Sequence, residues 1–188
     1  MASGMVSAVC IDWRTKQILL VLNTDPEKPL GFWGLPGGKM KEGEAVEIGA
    51  LRELFQETNQ EGKILGYRIE IPKAGSRGDY IHNFVAVRII PDGRELKNYE
   101  DPAATPKWIP FQEIIAGRVK MFRGHIRGLM LVLEKMAEGK TADKERINKH
   151  GIKILSEGPP AVLEVLNEFK NSFSENGQFI SYYRPRQF

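Results

Sequence analysis

Cysteine is nearly absent from this chain of 188 residues: Cys10 stands alone, which excludes an intrachain disulfide and a zinc cluster built on thiolates. It lies in an apolar run, where a free thiol behaves as a small hydrophobe, so a buried and inert Cys10 is expected. No apolar run reaches the length needed to cross a bilayer, and the Met-Ala-Ser-Gly start has no signal-peptide pattern. The expectation is a cytoplasmic protein with no membrane partner. An excess of one charge is missing too. Lys and Arg number 27 against 24 Asp and Glu, for a net charge of +3. That balance tolerates an anionic substrate but does not by itself predict nucleic-acid binding. Internal repeats and low-complexity tracts are also absent.

What is present suffices for a core. Hydrophobic residues at 41% and charged residues at 27% give the balance of a globular protein that buries apolar side chains. The length accommodates one ordinary domain and an extension. Met5 to Ile11 and Ile18 to Leu22 are short aliphatic runs separated by the polar stretch Asp12 to Lys16, a pattern that predicts an antiparallel hairpin. Asn23 to Leu30, with Pro26 and Pro29, reads as a loop, and Gly31-Phe32-Trp33-Gly34-Leu35-Pro36 leads out of it. Trp33 is open to two readings, a core aromatic or a wall of a substrate pocket.

The chain is organised around the stretch from Gly37 to Gln60, a Gly-Gly loop that passes into a predicted helix from Ala45 to Thr58. At about 100° per residue, Glu57 falls about 40° to one side of Glu53 and Gln56 about 60° to the other. Ile48, Leu51 and Phe55 cluster on the opposite side and are expected to be the buried face. Carboxylates one turn apart repel each other on a bare helix. A divalent cation reverses that repulsion, and a hard cation such as Mg²⁺ prefers oxygen ligands of this kind.

Gly38, five intervening residues to Glu44, seven more to Arg52-Glu53-Leu54, and then Glu57 form a long gapped pattern that resembles the signature box of the Nudix hydrolases. The resemblance implies an α+β fold, a mixed sheet sandwiched between the box helix and a later helix. It also implies a loop and helix that bind Mg²⁺ or Mn²⁺ and cleave a diphosphate linked to another group. On that reading Glu53 and Glu57, with Gln56 and the Gly37 carbonyl as weaker ligands, hold the metal. Arg52 orients Glu53, and Glu44 supports the loop. Three positions depart from the pattern: Gln56 stands where the family has Glu, Asn59 where it has Gly, and Gln60 where an apolar residue is usual. Gln56 keeps a carbonyl oxygen but removes one charge, so weaker metal binding is expected. Asn59 follows a helix end, where Asn tolerates the left-handed backbone better than other non-glycine residues.

Beyond the box, Lys63 to Ile71 and Tyr80 to Ile90 predict two further strands joined by a loop from Pro72 to Asp79. Lys73, Arg77 and Tyr80 are candidates to meet a phosphate or base there, and Lys39 and Lys41 to attract an anionic substrate. His82 reads as a structural histidine within its strand. Glu100 and Asp101, before Lys107-Trp108-Ile109-Pro110, resemble an acidic loop that in several family members assists the metal or serves as general base. Glu100 is the first candidate and Asp101 the reserve. Phe111 to Ala116 predicts a short helix, and Phe122 to Ala137 a longer one weakened by Gly124 and Gly128. The catalytic domain implied by the resemblance therefore covers residues 1–139, and residues 140–188 form a C-terminal extension. Within the extension, Pro159 to Phe173 predicts a helix that buries Val162, Leu163, Val165, Leu166 and Phe169. The aromatic and basic end from Phe179 to Phe188 is expected to pack on its own domain or on a second subunit, which leaves room for a homodimer.

The favoured function is a metal-dependent pyrophosphohydrolase acting on a small nucleoside triphosphate or nucleotide sugar. The first alternative, carried by Gln56, is a nucleotide-binding regulatory protein that has lost turnover. The third is an RNA 5′-end pyrophosphohydrolase, for which nucleic acid would be the partner.

Overall fold

The computed structural model describes residues 4–27, 30–74, 78–139 and 162–175. Strand β1 (Met5–Asp12) turns back into β2 (Gln17–Leu22) as an antiparallel hairpin, with Ile11 opposite Ile18 and Asp12 opposite Gln17. The turn is held by Asp12, whose carboxylate accepts from the Arg14 N–H at 3.0 Å and from the Thr15 hydroxyl at 2.7 Å. Short strands β3 (Trp33–Gly34) and β4 (Gly37–Lys39) follow, and then helix α1 (Val46–Thr58). Long strands β5 (Gly62–Lys73) and β6 (Tyr80–Ile89) pair antiparallel, and β7 (Pro106–Pro110) runs into the short helix α2 (Phe111–Ile115). Helices α3 (Arg123–Ala137) and α4 (Val162–Glu175) complete the described chain.

The sheet is mixed. Its main path runs β3-β2-β1-β6-β5, with β4 on β1 and β7 on β2. Strand β1 is parallel to β6, placing Met5 opposite His82 and Ser7 opposite Phe84. Because side chains alternate along a strand, β1 feeds two cores. Val6, Ala8 and Cys10 face the α1 side with Leu19, Ala50, Leu54, Val85 and Val87. Val9 faces the other side with Tyr67, Phe84, Leu129, Leu133 and the α4 residues Val165, Leu166 and Phe169. Cys10 is fully buried, and that burial pushes its thiol well above the ordinary range, where no reactive thiolate forms. The fold is the α+β sandwich implied by the resemblance, with α1 on one face of the sheet and α3 on the other.

Two sequence expectations about faces are corrected. In α1, Ile48 is 43% and Phe55 38% exposed, whereas Val46, Ala50, Glu53 and Leu54 are buried. The helix turns towards the sheet the same side that carries Glu53 and Glu57, and its apolar inward stripe is Val46, Ala50 and Leu54. Small residues make this close packing feasible: a Cβ on Gly49 would stand 3.3 Å from Val6 Cγ1. In α4, Leu163 is 58% exposed while Val162, Val165, Leu166 and Phe169 are buried. The predicted helix start at Pro159 and the aromatic-basic end lie outside the described residues, as does Arg77.

Candidate active site

The site begins where β4 meets α1. Gly37 pairs with Ser7 across the β1–β4 ladder, and a Cβ on it would come within 2.3 Å of the Val6 carbonyl oxygen. Only glycine fits so near a neighbouring backbone. The Gly37 N–H donates to Glu57 Oε2 at 2.7 Å, so this residue engages Glu57 through its amide. A Cβ on Gly38 would meet the Glu53 carboxylate at 2.6 Å, so the Gly-Gly loop forms a cradle against which Glu53 lies.

Arg52 holds the cradle together. Its Nε and one terminal nitrogen donate to the two oxygens of Glu44 at 2.8 and 2.9 Å, a bidentate pair. The other terminal nitrogen donates to Glu53 Oε1 and to Gln56 Oε1, both at 2.7 Å, and a further bond reaches the Lys39 carbonyl at 3.0 Å. Glu44 also accepts from the Lys41 N–H at 3.0 Å, which closes the loop onto the helix. The Arg52 guanidinium holds the Glu44 carboxyl below the usual range. Glu53 moves the other way: burial pushes its pKa up, against the pull of Arg52, and the neighbouring Glu100 and Glu44 add to the rise.

Glu53, Glu57 and Glu100 converge, each offering an oxygen within 4.8 Å of the others. Three carboxylates this close, one of them buried and hard to ionise, are electrostatically unfavourable on their own and suited to a hard divalent cation. The missing side chain at Gly38 leaves the room that the Glu53 carboxylate itself occupies. The donor set therefore fits a hard divalent cation, which Glu53, Glu57 and Glu100 would hold. Gln56 is turned to bridge Arg52 and Glu100, donating from Nε2 to Glu100 Oε1 at 2.8 Å.

Beside these carboxylates lies a cavity of about 470 Å³. Glu57, Glu100 and Asp101 line one part of it, and Lys73, Tyr80, His82 and His125 another. Asp101 accepts a hydrogen bond from the Thr24 hydroxyl, which holds its carboxyl below the usual range and ties the acidic loop to the segment after β2. Trp33 packs against the larger core cluster and Lys39 is exposed; neither is among the residues lining the cavity. His82 shares a hydrogen bond with Ser7 Oγ at 2.9 Å and stacks on Phe84, and burial lowers its pKa to about 4. His125 accepts from the Leu35 N–H at 2.8 Å through Nδ1 and meets His82 edge-on. Sequence reading missed His125 because nothing in the apolar spacing of α3 marks it.

A family model for the NUDIX domain matches residues 4–129, most of the chain. The chain belongs to the Nudix family. Nudix hydrolase 6 of Arabidopsis thaliana is 32% identical over 120 residues, covering 58% of this chain and 40% of that protein, so the chain spans about two fifths of the relative's length. Among solved Nudix structures, the NUDIX domain of NrtR from Shewanella oneidensis, complexed with ADP ribose, aligns over 72% of this chain and 89% of its own. Its TM-score is 0.53 at 21% identity. A bifunctional NMN adenylyltransferase/ADP ribose pyrophosphatase from Francisella tularensis, complexed with AMP and a manganese ion, covers 72% of this chain and 42% of its own. Its TM-score is 0.55 at 24% identity. At these identities the likeness to both structures is one of fold.

Proposed function

We propose that this Nudix protein is a metal-dependent hydrolase that cleaves the diphosphate of a small nucleoside diphosphate derivative, with a nucleotide sugar of the ADP-ribose class as the leading substrate. The convergence of Glu53, Glu57 and Glu100 at the edge of the cavity carries the reading. The substrate class draws support from the ADP ribose and ADP-ribose pyrophosphatase descriptions of the two solved structures. We further assign the activity to the cytoplasm, in keeping with the absence, among the described residues, of a helix long and apolar enough to cross a membrane.

When bound, Mg²⁺ or Mn²⁺ supplies neutralisation of the diphosphate oxygens and a more acidic water. The protein does the positioning. Arg52 fixes Glu53 and Glu44 in one rigid fan of hydrogen bonds, and the Gly37 amide fixes Glu57. Glu100 stands as third carboxylate, which can also accept a proton. Lys73 and Tyr80 line the cavity where the second moiety of the substrate would lie.

The test is product release from a panel of nucleoside triphosphates, nucleotide sugars and 5′-triphosphate RNA, with Mg²⁺, with Mn²⁺ and with chelator, each product assigned by mass. Metal-dependent cleavage of ADP-ribose to AMP and ribose 5-phosphate, lost in Glu53→Gln and Glu57→Gln, is the expected result. Binding of nucleotide without any product would replace this reading with that of a regulatory Nudix protein.

A further inference from the structure

The three departures from the box pattern, Gln56, Asn59 and Gln60, have one structural property in common. Each sends its side chain to the segment between β6 and β7. Gln56 Nε2 donates to Glu100 Oε1 at 2.8 Å. Asn59 Nδ2 donates to the Glu95 carbonyl at 3.0 Å, and Asn59 Oδ1 accepts from the Tyr99 hydroxyl at 3.1 Å. Gln60 Nε2 donates to the Arg94 carbonyl at 3.2 Å. The backbone adds two rungs, from Lys97 N–H to the Thr58 carbonyl at 3.2 Å and from Tyr99 N–H to the Gln56 carbonyl at 2.7 Å.

A stack lies over these bonds. Arg94 covers Phe55 with its guanidinium carbon 5.6 Å from the ring centroid, Phe55 stacks on Tyr99 at 5.9 Å, and Lys97 covers Tyr99 at 5.1 Å. The aromatics are thus engaged in holding the segment to α1. At its far end the buried Asn98 accepts from the Glu100 and Asp101 amides, both at 2.9 Å, setting the turn from which Glu100 projects.

The glycine and apolar side chains of the family pattern at the second and third positions could make none of these side-chain bonds. Gln56 is decisive for charge. A side chain that accepts from Arg52 and donates to Glu100 at once must carry both an acceptor and a donor, and among Glu and Gln at neutral pH only the amide does. A carboxylate there would face Glu100 as a like charge.

We propose that Gln56, Asn59 and Gln60 act together as positioning residues that fasten the Glu100 segment to the end of α1, so that Glu100 supplies the site with the carboxylate that Gln56 withholds. This rests on the metal-site reading of Glu53, Glu57 and Glu100 and deepens it.

The experiment measures Mn²⁺ affinity of the full chain by electron paramagnetic resonance titration, with the urea midpoint recorded for every variant. Glu53→Gln is the control for the metal site itself. Glu100→Gln and the double variant Asn59→Gly/Gln60→Leu should each weaken Mn²⁺ by about 10- to 100-fold, the range for losing a ligand's support. Glycine at 59 keeps the left-handed backbone, so the midpoint should fall only by the side-chain hydrogen bonds that are lost, with the fold retained. Combining Glu100→Gln with the double variant should weaken binding no further, because both act through one carboxylate. The exchange Gln56→Glu/Glu100→Gln keeps the charge and reverses the hydrogen bond, and should recover most of what Glu100→Gln loses. Mn²⁺ affinity lost in Glu53→Gln but unchanged in Asn59→Gly/Gln60→Leu overturns the positioning role alone, as does an exchange variant that recovers nothing. Affinity indifferent to Glu53→Gln removes the metal site, and this proposal with it.

Discussion

His82 shows how a residue can be tuned by position without taking part in the carboxylate cluster. Buried against Phe84 and hydrogen-bonded to Ser7, it has its pKa lowered from 6.5 to about 4, by burial first and by the nearby Lys73 charge second. The unfolded chain therefore binds a proton at His82 that the folded chain refuses. The stability associated with neutral His82 is complete above about pH 6.5 and declines as pH falls towards 4, below which the loss levels off. At most about 3 kcal/mol is involved. Urea unfolding between pH 7 and pH 4 should show a shallower fall for His82→Gln than for the native chain, and parallel curves would refute the assignment. At this scale the sequence was informative where chemistry depends on local spacing. Arg52, Glu53 and Glu57 share one helix, and Glu44 lies within reach of Arg52 on the loop before it. It was silent on Ser7 with His82, on Leu35 with His125 and on Thr24 with Asp101, because these pairs meet only after distant segments have come together.

Among the elements, α1 and α3 show two limits of periodicity. A helical wheel states which residues share a side but not which side the sheet will meet. In α1 the apolar Ile48 and Phe55 face outward, and Phe55 serves instead to stack on Tyr99. In α3, glycine reads as weakness from helix propensity alone, yet a Cβ on Gly128 would lie 2.3 Å from the Phe84 ring. Gly128 is where α3 crosses β6 at close range. Gly128→Ala gains up to about 1 kcal/mol of helix propensity and incurs about 1–3 kcal/mol of overpacking. Net destabilisation is expected, seen as a lower urea midpoint, and Phe84→Leu introduced alongside should relieve part of it. If Gly128→Ala raises the midpoint, the close crossing is not a constraint.

For the molecule as a whole, α4 lies beyond the span matched by the family model but shares its core. Phe169 is fully buried and meets Phe111 edge-on at 5.4 Å, while Gln112 donates to Glu168 at 2.8 Å. Phe169→Ala should cost about 3–5 kcal/mol. Leu163→Ala, on the exposed side of the same helix, should stay within about 0.5 kcal/mol. Equal effects from the two, read by chemical denaturation, would mean that the helix is not docked as described. The helix itself was legible from its apolar residues; the surface it covers was not, because α2 and α3 supply that surface.

The parallel pairing of β1 with β6 also sets an order of events. Met5 finds its neighbour at His82 and Cys10 at Val87, so the strand at the middle of the sheet is made early and completed late. During synthesis the β1–β2 hairpin can close at once, but the other edge of β1 must wait for β6 to leave the ribosome. Such long-range closure is slow compared with hairpin or helix formation. Until then the nascent chain carries an unpaired edge on a strand rich in apolar side chains, and it is in that interval, more than in the finished protein, that it would depend on a chaperone.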